Sequence, residues 1–99
     1  MLKPGVGPME LLETNNEFLR KQGYPPEKRL LGHGQGYDLV ERPSLQSGET
    51  MKIKAGMNIA VHPSVHTKKA TAGICENYIV AETGMSECLH QTPKKIFVV

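Results

Sequence analysis

Two consecutive prolines, Pro25 and Pro26, divide this chain into a part patterned as helix and a part patterned only as strand. Proline has no amide donor and pushes the residue before it toward extended geometry, so Tyr24-Pro25-Pro26-Glu27 ends any helix that reaches it. Upstream, Gly7-Pro8 suits an N-cap and first helical position, Glu10 and Glu13 lie where the helix dipole favours anions, and Gly23 stands where a helix would stop. These signals predict one helix over 8–22. Leu11, Leu12, Phe18 and Leu19 form its apolar stripe, with Asn15, Asn16, Glu17, Arg20 and Lys21 on the polar side.

Beyond the prolines every signal is β. Leu30-Leu31 leads into a glycine-rich segment, 51–53 alternates over a short run, and 58–62, 77–82 and 96–99 are rich in residues that pair well. Ser47-Gly48-Glu49, Ala55-Gly56 and Thr83-Gly84 mark turns between them. One helix followed by several strands, with no helix between them, predicts an α+β domain over 1–99. Its amphipathic helix would pack on an antiparallel sheet rather than alternate with parallel strands. No repeat, low-complexity stretch or linker interrupts it.

A chain of 99 residues with 38% hydrophobic residues and no tryptophan builds a thin core. At this size folding hides only about 65% of the surface of the extended chain, so completion against another chain or segment is an expectation from size alone. Met9, Met51, Met57 and Met85 read as flexible fillers of that core. A formal charge of +2, with lysines scattered and the pairs Lys68-Lys69 and Lys94-Lys95 beside turns, does not imply nucleic acid. No apolar run is long enough to span a bilayer and the first residues lack a signal-peptide core, so no membrane association and a cytoplasmic location are expected. Cys75 and Cys88 have no CxxC spacing and read as reduced thiols; Cys88 and His90 share a strand face but lack a third group to orient a nucleophile.

The segment Gly32-His33-Gly34-Gln35-Gly36 places glycines at every second position, unlike a dinucleotide-binding GxGxxG. Alternating glycines strip side chains from one strand face, leaving space for a ligand or a neighbouring backbone, while His33 projects from the other face. Such a histidine suits a hydrogen-bonded or surface role as well as a ligand role. His62 and His66 make an HxxxH spacing, but Pro63 and a non-helical context do not place the rings together.

The order Gly32-His33-Gly34-Gln35-Gly36-Tyr37-Asp38-Leu39-Val40-Glu41-Arg42-Pro43, then Met57-Asn58-Ile59-Ala60-Val61-His62-Pro63, then Cys75-Glu76-Asn77-Tyr78-Ile79-Val80, resembles the C-terminal half of the pita-bread metallopeptidases. That family holds aminopeptidase P, prolidase, methionine aminopeptidase and the metal-free creatinase. The resemblance runs from about Leu2 to Val99 and implies half of a pita-bread domain with a curved antiparallel sheet. By that resemblance, His33 and Glu76 are metal ligands. His62, standing where the family has a bridging glutamate, is a ligand or proton-transfer group, and Glu41 lines the cleft. Val40 replaces a second catalytic histidine and Asn77 an aspartate. The family takes two further aspartates from the preceding half, and Asp38 is the only aspartate here.

The resemblance therefore implies a fragment of an Xaa-Pro aminopeptidase or dipeptidase with an incomplete dinuclear site, using manganese, cobalt, iron or zinc. It implies a proline-containing peptide or small amide as substrate, and the missing N-terminal half-domain or a second copy as partner. Two alternatives accompany it: a metal-free hydrolase or lyase like creatinase, and a non-catalytic peptide- or protein-binding module.

Overall fold

The computed structural model describes residues 1–84 and 86–99. Its element order is α1 (Pro8–Lys21), β1 (Gly32–Gly34), β2 (Glu41–Ser44), β3 (Asn58–Val61), β4 (Ser64–His66), β5 (Thr71–Gly73), β6 (Glu76–Ile79) and β7 (Glu87–Cys88). Five strands form one antiparallel sheet in the order β2-β1-β3-β6-β7, and β4-β5 make a separate hairpin. The α+β expectation is met.

α1 starts after Gly7 with Pro8 in its first turn and ends at the glycine the sequence marks, Gly23, whose φ of +79° is left-handed. Leu11, Leu12 and Leu19 are buried, but Phe18 is 62% exposed and Asn16 takes a place in the buried arc. Phe18 instead lines an open groove beside α1 with Leu2, Leu11 and Val61. The core joins Val6, Leu11, Leu12, Leu31, Leu45, Ile53, Ile59 and Val80, with Leu2, Met57 and Val61 packed against it. Met57 is thus the filler expected, Met9 is exposed, and Met85 lies outside the described residues.

Two expected strands are absent from the sheet. Around 51–53 only Ile53 pairs, accepting from Gly5 N at 2.9 Å and donating to Val6 O at 3.0 Å, which ties the N-terminal segment to the core. Ile96, Phe97, Val98 and Val99 are exposed and outside any strand. Propensity alone does not make a strand.

Gly32 shows what the alternating glycines do. A Cβ there would collide with Ala60 O and meet Leu45 Cδ1 at 2.8 Å. On the Gly32 side, the space a side chain would fill holds a neighbouring backbone and the core rather than a ligand.

Candidate functional site

Strand register sorts the chemistry-bearing residues into two faces. Opposed residues of antiparallel strands project to the same side, and the side alternates along each strand. His33 is opposite Ala60, and Ala60 is opposite Asn77; Gly32 is opposite Val61, and Val61 is opposite Glu76. Ile59 and Val61 pack with α1, so that face is the core face. His33, Asn58, Ala60 and Asn77 therefore project from the other one.

On this outer face His33 and His62 meet, with ring centroids 5.2 Å apart and planes tilted by 52°. His62 lies one residue past β3 and is held by its amide, which donates to Leu31 O at 2.9 Å. His33 is buried, and its Nδ1 is 2.9 Å from Gly34 O. A carbonyl can only accept, so Nδ1 is the donor in that bond and Nε2 is left free of it. Beside this pair three amide side chains converge from three strand segments. Asn77 Nδ2 donates to Gln35 Oε1 at 2.5 Å and to Asn58 Oδ1 at 3.1 Å.

Glu76 is on the core face and is engaged there. Its Oε2 accepts from Tyr78 OH at 2.8 Å and pairs with Lys94 Nζ at 2.8 Å, with the Glu76 side chain 8% exposed. The Lys94 and Tyr78 hydrogen bonds hold the carboxyl below its usual range against the opposing effect of burial. In turn the hydrogen bond to Glu76, reinforced by burial, pushes the Tyr78 phenol up to about 12. The structure thus separates Glu76 from His33 and His62. The physical reason is one position of register, which reverses the face.

Glu41 is not gathered with the histidines either. Its Oε1 accepts from Asp38 N at 2.5 Å, closing the loop between β1 and β2, on which Val40 is exposed. His66, four residues after His62, is exposed and bonds Ser64 Oγ through Nε2 at 3.0 Å and Thr71 Oγ1 through Nδ1 at 3.2 Å. The HxxxH spacing thus makes no joint site. Cys88 Sγ points to the backbone carbonyl of His90 at 3.7 Å, and both cysteines are free thiols.

A polar chain anchors the hairpin that follows His62. Asn16, buried on α1, donates to Glu27 O at 3.1 Å and accepts from Glu27 N at 2.7 Å. Glu27 accepts from Arg29 N at 2.8 Å and, through Oε2, from Ser64 Oγ at 2.7 Å. Burial raises the Glu27 carboxyl, but the bonds from Ser64, Arg29 and Lys28 and the nearby His66 outweigh it and leave it lowered. Asn16, Glu27, Gln35 and Asn58 were not legible as site residues; they join segments 11 to 42 residues apart, and no local motif announces such pairs.

A dinuclear metal centre needs several anionic ligands held together. Among the described residues no three of His, Cys, Asp and Glu gather in a metal-holding group. The outer face offers two imidazoles and three amides, and the nearest-matching carboxylate, Glu76, is across the sheet with Lys94. The residues present do not fit a pair of divalent ions.

The helix on an open antiparallel sheet is part of a pita-bread domain. The model of metallopeptidase family M24 matches residues 1–82, and the chain belongs to that family. It is 25% identical over 95 residues to an Xaa-Pro dipeptidase of Pyrococcus furiosus, covering 95% of this chain and 27% of that protein. Among solved structures it is similar to an X-Pro aminopeptidase from Thermotoga maritima, with a TM-score of 0.87, 29% identity and coverage of 99% of this chain and 28% of the other. Prolidase from Pyrococcus furiosus gives a TM-score of 0.83 at 26% identity over 93% of this chain and 28% of that one. Dipeptidase PepE from Mycobacterium ulcerans, at 23% identity, shares the fold with a TM-score of 0.85 over 99% and 27%. The chain spans little more than a quarter of the length of each. Among the described residues no helix is long and apolar enough to cross a membrane.

Proposed function

We propose that this chain is the C-terminal half of a catalytic domain like those of the Xaa-Pro peptidases, with its outer sheet face as the ligand-binding face. The ligand class is a proline-containing peptide or a small amide. The observation that carries this reading is the His33–His62 pair on that face, 5.2 Å between rings, in a chain belonging to the M24 family. The relatives whose printed names specify Xaa-Pro or prolidase activity support the substrate class.

The dinuclear site is incomplete in this chain, and the partner that would complete the domain is the preceding half or a second copy. An open apolar groove of about 660 Å³ supports a covering partner; Leu2, Leu11, Phe18, Val61, Pro63 and Tyr78 line it beside α1. A metal-free reading, with His33 and His62 acting on a bound amide as creatinase acts without an ion, is favoured by the engagement of Glu76 with Lys94 and Tyr78 rather than with the two rings. Glu41 serves this site by holding the loop that follows Gln35 and Gly36.

The test is calorimetric titration of the chain with glycyl-proline and with the same peptide amidated, alongside a hydrolysis assay with and without manganese. Binding without turnover in either condition is the expected result, with His62→Ala weakening it. Absence of binding by both peptides would refute the assignment of the face. Light scattering across a concentration series separates a second copy from a monomer awaiting another half.

A further inference from the structure

We infer that Glu76 and Tyr78 form a site for a primary ammonium group, which Lys94 of the same chain fills where the family resemblance implies a metal ion. The site lies across the sheet from His33 and does not depend on the function proposed for that face. Three observations carry it. The first is the pair itself. Lys94 Nζ and the Tyr78 hydroxyl both reach Glu76 Oε2, each at 2.8 Å, and the Glu76 side chain is 8% exposed. The disagreement with a metal ligand is chemical. A divalent ion shares its carboxylates with further oxygen or nitrogen ligands, whereas two hydrogen-bond donors converge on this one.

The second is the space beside the pair, a cavity of about 620 Å³. Among its lining residues Glu76 is the acid and Lys94 and Lys95 are the lysines, with His90 and Cys75 on the same walls. Lys95 is turned to another partner, its Nζ 5.2 Å from the centroid of the Phe97 ring, and Cys88 stands opposite Tyr78 in the β6–β7 register. With Lys94 withdrawn, a buried carboxylate carrying one hydroxyl donor faces the cavity without its counter-ion. An uncompensated buried charge is costly, so the site draws a replacement cation. An ammonium suits it, as a compact charge with three N–H donors.

The third is where Lys94 comes from. It belongs to the segment 90–99, which carries no strand, and its side chain is 59% exposed against 8% for Glu76. A flexible surface lysine thus reaches into a fixed, buried acceptor. Lys94 is an intramolecular ligand, and a short tether gives it an effective concentration of about millimolar. A free amine therefore competes poorly in the natural chain and well once the lysine head is gone. The segment 90–99 is in consequence a strap that Lys94 fastens beside the cavity.

The experiment is 15N NMR of the 99-residue chain with n-butylammonium, tetramethylammonium and Mn2+ at matched ionic strength. Tetramethylammonium has the same charge without an N–H, so it separates a hydrogen-bonded site from screening. Lys94→Met keeps an unbranched side chain and removes the ammonium. In that variant n-butylammonium should shift the Glu76 and Tyr78 amide signals with a dissociation constant at least tenfold lower than in the natural chain. Tetramethylammonium should give no saturable shift, and Mn2+ should leave both signals sharp. Adding Glu76→Gln should abolish n-butylammonium binding. The natural chain guards against a variant that fails to fold: excess n-butylammonium should displace Lys94 and shift the amides of Thr92, Lys94 and Lys95 where tetramethylammonium does not.

Equal responses to the two ammonium ions, in the variant or in the natural chain, overturn the site. Binding of n-butylammonium that survives Glu76→Gln overturns it too. Mn2+ broadening of Glu76 and Tyr78 in Lys94→Met overturns it in favour of a metal carboxylate held closed by the lysine.

Discussion

Replacing Asn16 by leucine tests whether the polar chain behind the hairpin is a structural joint. Asn16 is 5% exposed and satisfies both backbone groups of Glu27, its N–H at 2.7 Å and its C=O at 3.1 Å. Leucine has similar volume but neither donor nor acceptor, so both groups of Glu27 lose their partner in a buried setting. At about 1–3 kcal/mol for each orphaned group, the pair costs about 2–6 kcal/mol, some of it recovered by the apolar contacts of the new side chain. Domains of this size have a total stability of about 5–15 kcal/mol, and urea slopes are about 1–3 kcal/mol per molar. A loss near 3 kcal/mol thus moves the urea midpoint down by roughly 1.5 M. The neighbouring residue supplies the control. Asn15 Nδ2 is buried without a partner among the described residues, so Asn15→Leu removes an unsatisfied donor and should hold or raise stability. Urea unfolding followed by far-ultraviolet circular dichroism reads both. If Asn16→Leu falls within about 0.5 kcal/mol of Asn15→Leu, the reasoning from hydrogen-bond satisfaction is wrong. Because Glu27 also holds Ser64, Asn16→Leu should further speed amide exchange in the β4-β5 hairpin beside His62.

The other predictions concern charge and close packing. Tyr78 should resist ionisation until about pH 12, and Glu76→Gln should bring its titration down toward the ordinary value of 10.0, read by ultraviolet absorbance. Glu27 and Glu49 both titrate below the usual carboxylate range. The Arg42 hydrogen bond holds Glu49 down, supported by the amides of Met51, Ser44 and Thr50. A carboxyl lowered in the fold stabilises it fully above the unfolded value, here 4.5, and that contribution is lost as pH falls through the folded one. Stability should therefore decline from about pH 5 downward, and Glu27→Gln with Glu49→Gln should flatten the decline in urea midpoints measured against pH. Gly32→Ala forces a methyl against the Ala60 carbonyl and Leu45, and should destabilise by about 1–3 kcal/mol or more. The same change at Gly5, whose φ is +88° with open space around it, acts through backbone strain alone and gives a comparison.

Much of the fold was determined by local chemistry that any reader of the chain can apply. The N-terminal Gly7-Pro8 and the stop at Gly23 bound α1, the double proline excludes a second helix nearby, and alternating glycines fix which side of β1 carries His33. The family follows from the same segments, which lie within the residues 1–82 that its model matches. Tertiary structure alone decided what meets what. Leu11, Leu12 and Asn16 rather than Phe18 fill the buried arc, since Asn16 finds its partner in the distant backbone of Glu27. Ile96 to Val99 have strand propensity but pair with no strand. Above all, Glu76 and Asn77 are adjacent in sequence, yet the register of β6 against β3 sends the glutamate to Lys94 and the asparagine to Gln35 and Asn58. Side-chain direction in a sheet has a period of two, so a single position of pairing register, a long-range property, determines which of two neighbours belongs to the site.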